Sequence, residues 1–154
     1  MTATRAGSGA MTKDTYSSAA DLAFGSIAPS YQRFILDYLE LHGIEPEGFC
    51  RPLPGADEMF FKAVLPNYEM DTGIGFFKFT ESTLRHYEAY RQIVEQVFGG
   101  FESLNSVMDF ASGYGRLTRI LLQKLPKDKI WVSDIYKDAM AWQRAALGVH
   151  TVDS

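Results

Sequence analysis

Helical spacing of apolar residues first appears at Ile27, Tyr31, Phe34, Ile35, Tyr38 and Leu39. That recurrence turns one face of a helix toward a core, and Gly43 stands where a left-handed cap closes it. The pattern predicts a helix over about 29–42. Pro46, Pro52 and Pro54 then crowd one stretch. Prolines lack an amide donor and bias the preceding residue away from helix, so this is read as a loop. A short helix is expected over 58–65, ended by Pro66, and a loop over 67–75 that contains Gly73 and Gly75. Thr80 reads as the N-cap of the next helix, with Glu81 suiting its positive end. Leu84, Tyr87, Arg91, Val94 and Phe98 form its stripe, and Gly99-Gly100 ends it.

From Ser106 the pattern shortens and alternates with helix. Ser106 to Phe110 is a buried-strand pattern, Ala111 to Gly115 a turn, and 116–125 a helix with Leu117, Ile120, Leu121 and Leu125 inward. A second strand comes next at 130–134, then a helix at 137–147 capped by Gly148, and the opening of a third strand at 149–152. Strand, helix, strand, helix, strand predicts a parallel sheet with crossover helices, an α/β arrangement. Residues 1–20, rich in Ser, Thr, Ala and Gly, carry little to bury and read as a disordered start. The organisation is therefore a disordered 1–20, a helical extension over 21–105, and an α/β unit over 106–154.

Composition narrows the class. Of 154 residues, 46% are hydrophobic and 22% charged, which is globular. A net charge of −4 lacks the basic footprint of a nucleic-acid binder. The one cysteine, Cys50, cannot form an internal disulfide or a cysteine-based zinc site. No apolar run reaches the roughly 18–20 residues of a membrane span, and the start lacks a secretory core. A cytoplasmic protein with no membrane partner is expected.

The chemistry-bearing unit is Asp109-Phe110-Ala111-Ser112-Gly113-Tyr114-Gly115, followed by a helix and by Ser133-Asp134-Ile135. One strand delivers Asp109, small residues turn the backbone tightly, and the next strand delivers Asp134, 19 residues after Gly115. Ligands of open α/β sheets sit outside the carboxyl ends of strands, where a carboxylate can accept from a ribose diol. This layout suits adenosine cofactors in general. The dinucleotide fingerprint needs a third small residue, yet Thr118 holds that place, which disfavours a pyrophosphate site.

The stretch resembles motif I of class I S-adenosylmethionine-dependent methyltransferases, in order and spacing from Val107 to Ile135. The segments FASGYGR and IWVSDI are similar to a bacterial subgroup with an N-terminal helical extension. Ala111 departs from the family's first glycine, a place that alanine fits if φ stays negative. The resemblance implies S-adenosyl-L-methionine as cofactor. Asp109 would fall near the amino group of the methionine moiety. Ala111, Ser112, Gly113 and Gly115 would form the loop beneath the cofactor. Asp134 would take the ribose hydroxyls, and Ile135 would lie against the adenine. It also implies transfer of a methyl group to a small-molecule acceptor.

In that family the acceptor and catalytic residues usually come from the fourth strand onward. This chain stops at the third, so it reads as a truncated Rossmann-like domain with no assignable catalytic residue. The first strand would keep a free apolar edge, which invites oligomerisation or aggregation. Alternatives are a non-catalytic cofactor-binding or interaction module and, disfavoured by Thr118, a nicotinamide-dependent oxidoreductase fragment.

The remaining residues read as bystanders. Arg116 and Arg119 are taken as solvated helix charges, Tyr114 as a variable loop residue, and Trp131 and Trp142 as packing. His42, His86, His150 and Cys50 lack a partner at a metal or nucleophile spacing. Gly73-Ile74-Gly75 reads as a flexible loop, with a lid as its functional alternative. Tyr87 and Arg91 stand in a region that some methyltransferases use near the methionine carboxylate.

Overall fold

The computed structural model describes residues 20–152. The disordered start expected over 1–20 therefore lies outside the described residues, Ala20 excepted. Two apolar clusters organise the fold. The first gathers Ile35, Leu39, Phe49, Leu53, Phe60, Phe76, Phe79 and Leu84, and the second gathers Val94, Val107, Leu121, Ile130, Val132 and Leu147. Leu117 and Phe101 pack against both.

Helix α1 runs over Pro29–Leu41. Pro29 suits its first turn, where the missing amide would have had no partner. Gly43, at φ +64, lies just past its end. The proline-rich stretch is not all loop. Pro46 starts a single turn, α2, over Pro46–Phe49, which drives Phe49 into the core. The expected 58–65 helix is a π-turn over Met59–Val64, and it continues as a 3-10 turn over Leu65–Tyr68. Pro66 falls in the first positions of that turn, where a missing amide costs nothing, so it does not stop the chain as expected.

The long helix α3 spans Thr72–Phe98, so it begins eight residues before Thr80. The cap is Asp71, whose carboxylate accepts from the amides of Gly73 (2.8 Å) and Ile74 (3.0 Å). Thr80 is interior and wholly buried. Its hydroxyl donates to the Phe76 carbonyl (2.9 Å), as that of Thr83 does to Phe79 (2.7 Å), so both polar groups are satisfied within the helix. Gly73 and Gly75 are neither loop nor lid. A Cβ on Gly73 would lie 2.2 Å from Cδ2 of Tyr31, and one on Gly75 would lie 2.9 Å from Cδ1 of Leu65. They are absences of side chain that let other elements close onto α3.

Strands β1 (Val107–Phe110), β2 (Ile130–Ser133) and β3 (His150–Thr151) form a parallel sheet in that order. Val107 pairs with Ile130, Phe110 with Ser133, and Trp131 with His150. Parallel neighbours need a crossover. The first runs through α4 (Thr118–Leu121) and the second through α5 (Lys137–Leu147). Regular helix in the first crossover is shorter than the expected 116–125. Bonds from Leu117 to Leu125 mix three- and four-residue steps, and Leu125 still reaches Leu121 (2.9 Å). Val107, Asp109, Ile130 and Val132 are buried, while Met108, Phe110 and Trp131 are exposed. Among the described residues β1 pairs only with β2.

Arg119 corrects the reading of a solvated charge. It is 1% exposed, and its guanidinium donates to the carbonyls of Phe49 (3.1 Å), Arg51 (2.7 Å) and Pro52 (3.1 Å). It also lies over the Trp142 ring at 5.6 Å. Burial pulls its pKa down to about 10, which leaves it charged at neutral pH. One side chain thus ties the first crossover to the segment after α2. Among the described residues no helix is long and apolar enough to cross a membrane.

Candidate functional site

Parallel pairing of β1 with β2 sets the ends of the two strands side by side, which places Asp109 and Asp134 around one turn. The backbone of that turn is left-handed at three of five residues: Ala111 (φ +55), Gly113 (φ +53) and Gly115 (φ +75). The condition under which alanine replaces the glycine freely, a negative φ, is therefore not met at Ala111. The Ser112 amide reaches across to the Ser133 carbonyl (3.2 Å), and the Gly115 amide returns to the Ser112 carbonyl (2.9 Å). These bonds fold the chain back at once, and Ala111 takes the strained conformation to permit it. An alanine there costs about 1–2 kcal/mol against a glycine's freedom. Ala111→Gly is expected to raise stability by about 0.5 kcal/mol, the relief being partly offset by unfolded-state entropy. A thermal melt that falls instead would contradict this.

The two glycines serve different ends. A Cβ on Gly115 would lie 2.7 Å from Cδ1 of Leu147 and 2.8 Å from Oε1 of Gln143, so this glycine lets α5 close on the turn. A Cβ on Gly113 would meet nothing within 4 Å. Gly113 is needed for its φ, and the space beside it is open.

Asp134 fastens the turn to β2. Its Oδ2 accepts from the Gly113 amide (2.7 Å) and its Oδ1 from the Tyr136 amide (3.0 Å). Asp109 is 8% exposed and turns inward, where its Oδ2 accepts from the Thr118 hydroxyl (2.7 Å). Burial raises its pKa, against the lowering effect of Thr118 bonds and Arg116. Ser112 is also buried, whereas Ile135 is 79% exposed next to Asp134. The structure thus brings Asp109, Ala111, Ser112, Gly113, Gly115 and Asp134 into one constellation, with Ile135 at its open edge.

Two members escaped the sequence. Gln143 is wholly buried, and its Nε2 donates both to Ser112 Oγ (2.8 Å) and to the Gly113 carbonyl (2.8 Å). Its Oε1 is buried with no partner. Its signal was available: a polar residue on the inward stripe of Ala139, Met140 and Leu147. Thr118, noted only as too large for a dinucleotide turn, is the residue that holds Asp109.

Other candidates part from the site. Tyr87 is 6% exposed and stacks on Phe101. Arg91 is paired along its own helix with Glu88 (2.6 Å) and Glu95. Neither is free for a ligand carboxylate. His42 Nδ1 bonds the Tyr38 carbonyl (2.8 Å), and His150 stacks on Trp131. No group of three or more His, Cys, Asp or Glu among the described residues could hold a metal. An open cavity of about 340 Å³ is lined by Asp21, Arg51, Pro52, Trp142 and Ala146, none of them in the turn.

Burial pushes the Cys50 thiol up to about 12. Only the thiolate reacts, so alkylation at pH 8 is expected about a thousandfold slower than for an ordinary thiol. Labelling at the rate of a model thiol would contradict that. The chain matches no known protein-family model, no curated protein and no solved structure at a significant level.

Proposed function

We propose that this chain is the cofactor-binding part of a class I S-adenosylmethionine-dependent methyltransferase. On this reading the sheet forms the first three strands of a Rossmann-like domain, and the acceptor is a small molecule. One observation carries the reading. Two strand-end carboxylates flank a left-handed turn whose Gly113 amide is held by one of them, with open space beside Gly113. Asp134 is a strand-end carboxylate that already accepts from two backbone amides, and an acceptor-only group of that kind suits the paired hydroxyls of a ribose. Ile135 offers an exposed apolar surface next in line for adenine. Gln143 and Thr118 hold the turn and Asp109 in place, so the loop does not have to order itself on binding.

When bound, the sulfonium cofactor supplies an activated methyl group. Asp109, Asp134 and the turn between them orient it, since displacement at such a carbon depends mainly on alignment. No residue is assigned to catalysis. Thr118 argues against the nicotinamide alternative. Its wholly buried side chain fills the place where a dinucleotide turn keeps a small residue, and it is bonded to Asp109.

Asp134→Ala removes both ribose acceptors and the anchor of Gly113. It is expected to weaken S-adenosylhomocysteine about tenfold or more by calorimetry, as loss of hydrogen bonds to a charged group does. An unchanged affinity in a folded variant would refute the assignment of Asp134.

A further inference from the structure

Arg116 comes directly after Gly115, so the turn that Asp134 fastens also sets its position. It is half-buried rather than solvated. Its guanidinium carbon lies 5.9 Å from the centre of the Phe79 ring, and Phe79 is itself 3% exposed in α3. Among the described residues, buried Arg119 has three carbonyls as acceptors and partly exposed Arg91 has two carboxylates. Arg116 has no hydrogen bond and no ion pair among the described residues. Among the described residues the buried polar side-chain atoms without a partner are Arg119 Nε and Gln143 Oε1, so the Arg116 nitrogens reach water.

A guanidinium within about 6 Å of an aromatic ring gains a cation–π attraction, and its planar fork matches a carboxylate in two parallel bonds. The surrounding charges choose among anions. Asp57, 6% exposed and accepting from the Phe60 amide (3.1 Å), and Asp109 both act on Arg116. Desolvation outweighs them and lowers the Arg116 pKa. One positive and two negative charges leave a net negative field, which opposes a dianion about twice as strongly as a monoanion. Phe79 and Asp57 belong to the segment before β1, whereas Asp134, Ile135 and Gln143 come from β2 and α5. The neighbours that act on Arg116 are thus residues other than those read as the ribose and adenine contacts.

We propose that Arg116, seated on Phe79 at the rim of the glycine turn, anchors a singly charged carboxylate of the acceptor. The acceptor role rests on the methyltransferase reading; the carboxylate site does not.

The test is a titration of the full chain carrying ¹⁵N-arginine, read at the Arg116 Nε–Hε resonance, which Arg116→Lys assigns. Propionate and inorganic phosphate are added at constant ionic strength. Propionate is expected to shift the resonance saturably, and phosphate to bind at least about threefold more weakly. Saturating S-adenosylhomocysteine should change the propionate affinity by less than about twofold, because the two sites differ. With uniform ¹⁵N labelling, Arg116→Gln should keep the dispersed spectrum of a folded chain and abolish the propionate shifts that the unsubstituted chain shows at the Tyr114 and Gly115 amides. Absence of a saturable shift, or equal or tighter phosphate binding, would overturn the carboxylate site. Loss of the shift under saturating S-adenosylhomocysteine would assign Arg116 to the cofactor's own carboxylate and overturn the acceptor role. If S-adenosylhomocysteine does not bind, the methyltransferase reading fails while the propionate titration still decides the site.

Discussion

Arg119→Ala is expected to destabilise the protein by about 3–5 kcal/mol, from carbonyls left unsatisfied and from the emptied volume of a large buried side chain. The substitution strips hydrogen bonds from the carbonyls of Phe49, Arg51 and Pro52. It also removes the cation from the Trp142 ring and empties a fully buried volume. Arg119→Lys keeps the charge, but a single ammonium cannot reproduce a planar fork that spans three acceptors. It is expected to recover less than about half of the loss. Urea denaturation of both variants measures this. A loss below about 1 kcal/mol for the alanine variant would mean that the guanidinium does not tie the two segments.

Gly73→Ala gives the second large effect, with a sign that separates two readings. In an exposed helix, alanine is better than glycine by about 1 kcal/mol, and in a flexible loop the change is near neutral. Here the added Cβ would meet the Tyr31 ring at Cδ2 (2.2 Å) and Cγ (2.6 Å). Cγ moves only with χ1, so either the whole ring must leave its rotamer and packing or α1 must move off the start of α3. A loss of about 3 kcal/mol is expected, the upper part of the range for overpacking. Tyr31→Ala in the same chain should reverse most of it, a coupling that only contact would produce. Gly25→Ala, where a Cβ meets nothing within 4 Å, serves as the control. A stabilised Gly73→Ala would return this glycine pair to a loop or lid.

Local patterns carried much of the fold into view. The strands at Val107–Phe110 and Ile130–Ser133 are short apolar runs bounded by turn residues, and helix Lys137–Leu147 ends at a glycine with φ +72. Such signals are local and survive in one sequence. The features that stayed hidden depend on distant partners. Gly73 looks like a loop residue until Tyr31 is packed against it. Thr80 looks like a cap until Asp71 supplies one and the hydroxyl finds Phe76. Arg119 looks solvated because the carbonyls that surround it lie 67–70 residues earlier in the chain.

The candidate site divides the same way. Asp109, Gly113, Gly115 and Asp134 were legible because residue type, spacing and strand ends coincide. Ala111 was legible as a member of the turn but not in its conformation, since nothing in the sequence shows the Ser112–Ser133 bond that forces φ positive. Gln143 and Thr118 hold the turn from beneath, and their roles exist only once α5 and the first crossover are folded against it.

The central claim is that the turn between Asp109 and Asp134 binds an adenosine cofactor of the sulfonium type. Calorimetric titration of the full chain with S-adenosylhomocysteine, beside NAD under the same conditions, tests it most directly. The expected result is saturable one-to-one binding of S-adenosylhomocysteine and none of NAD over the same range. Binding of NAD alone, or of neither, would contradict it.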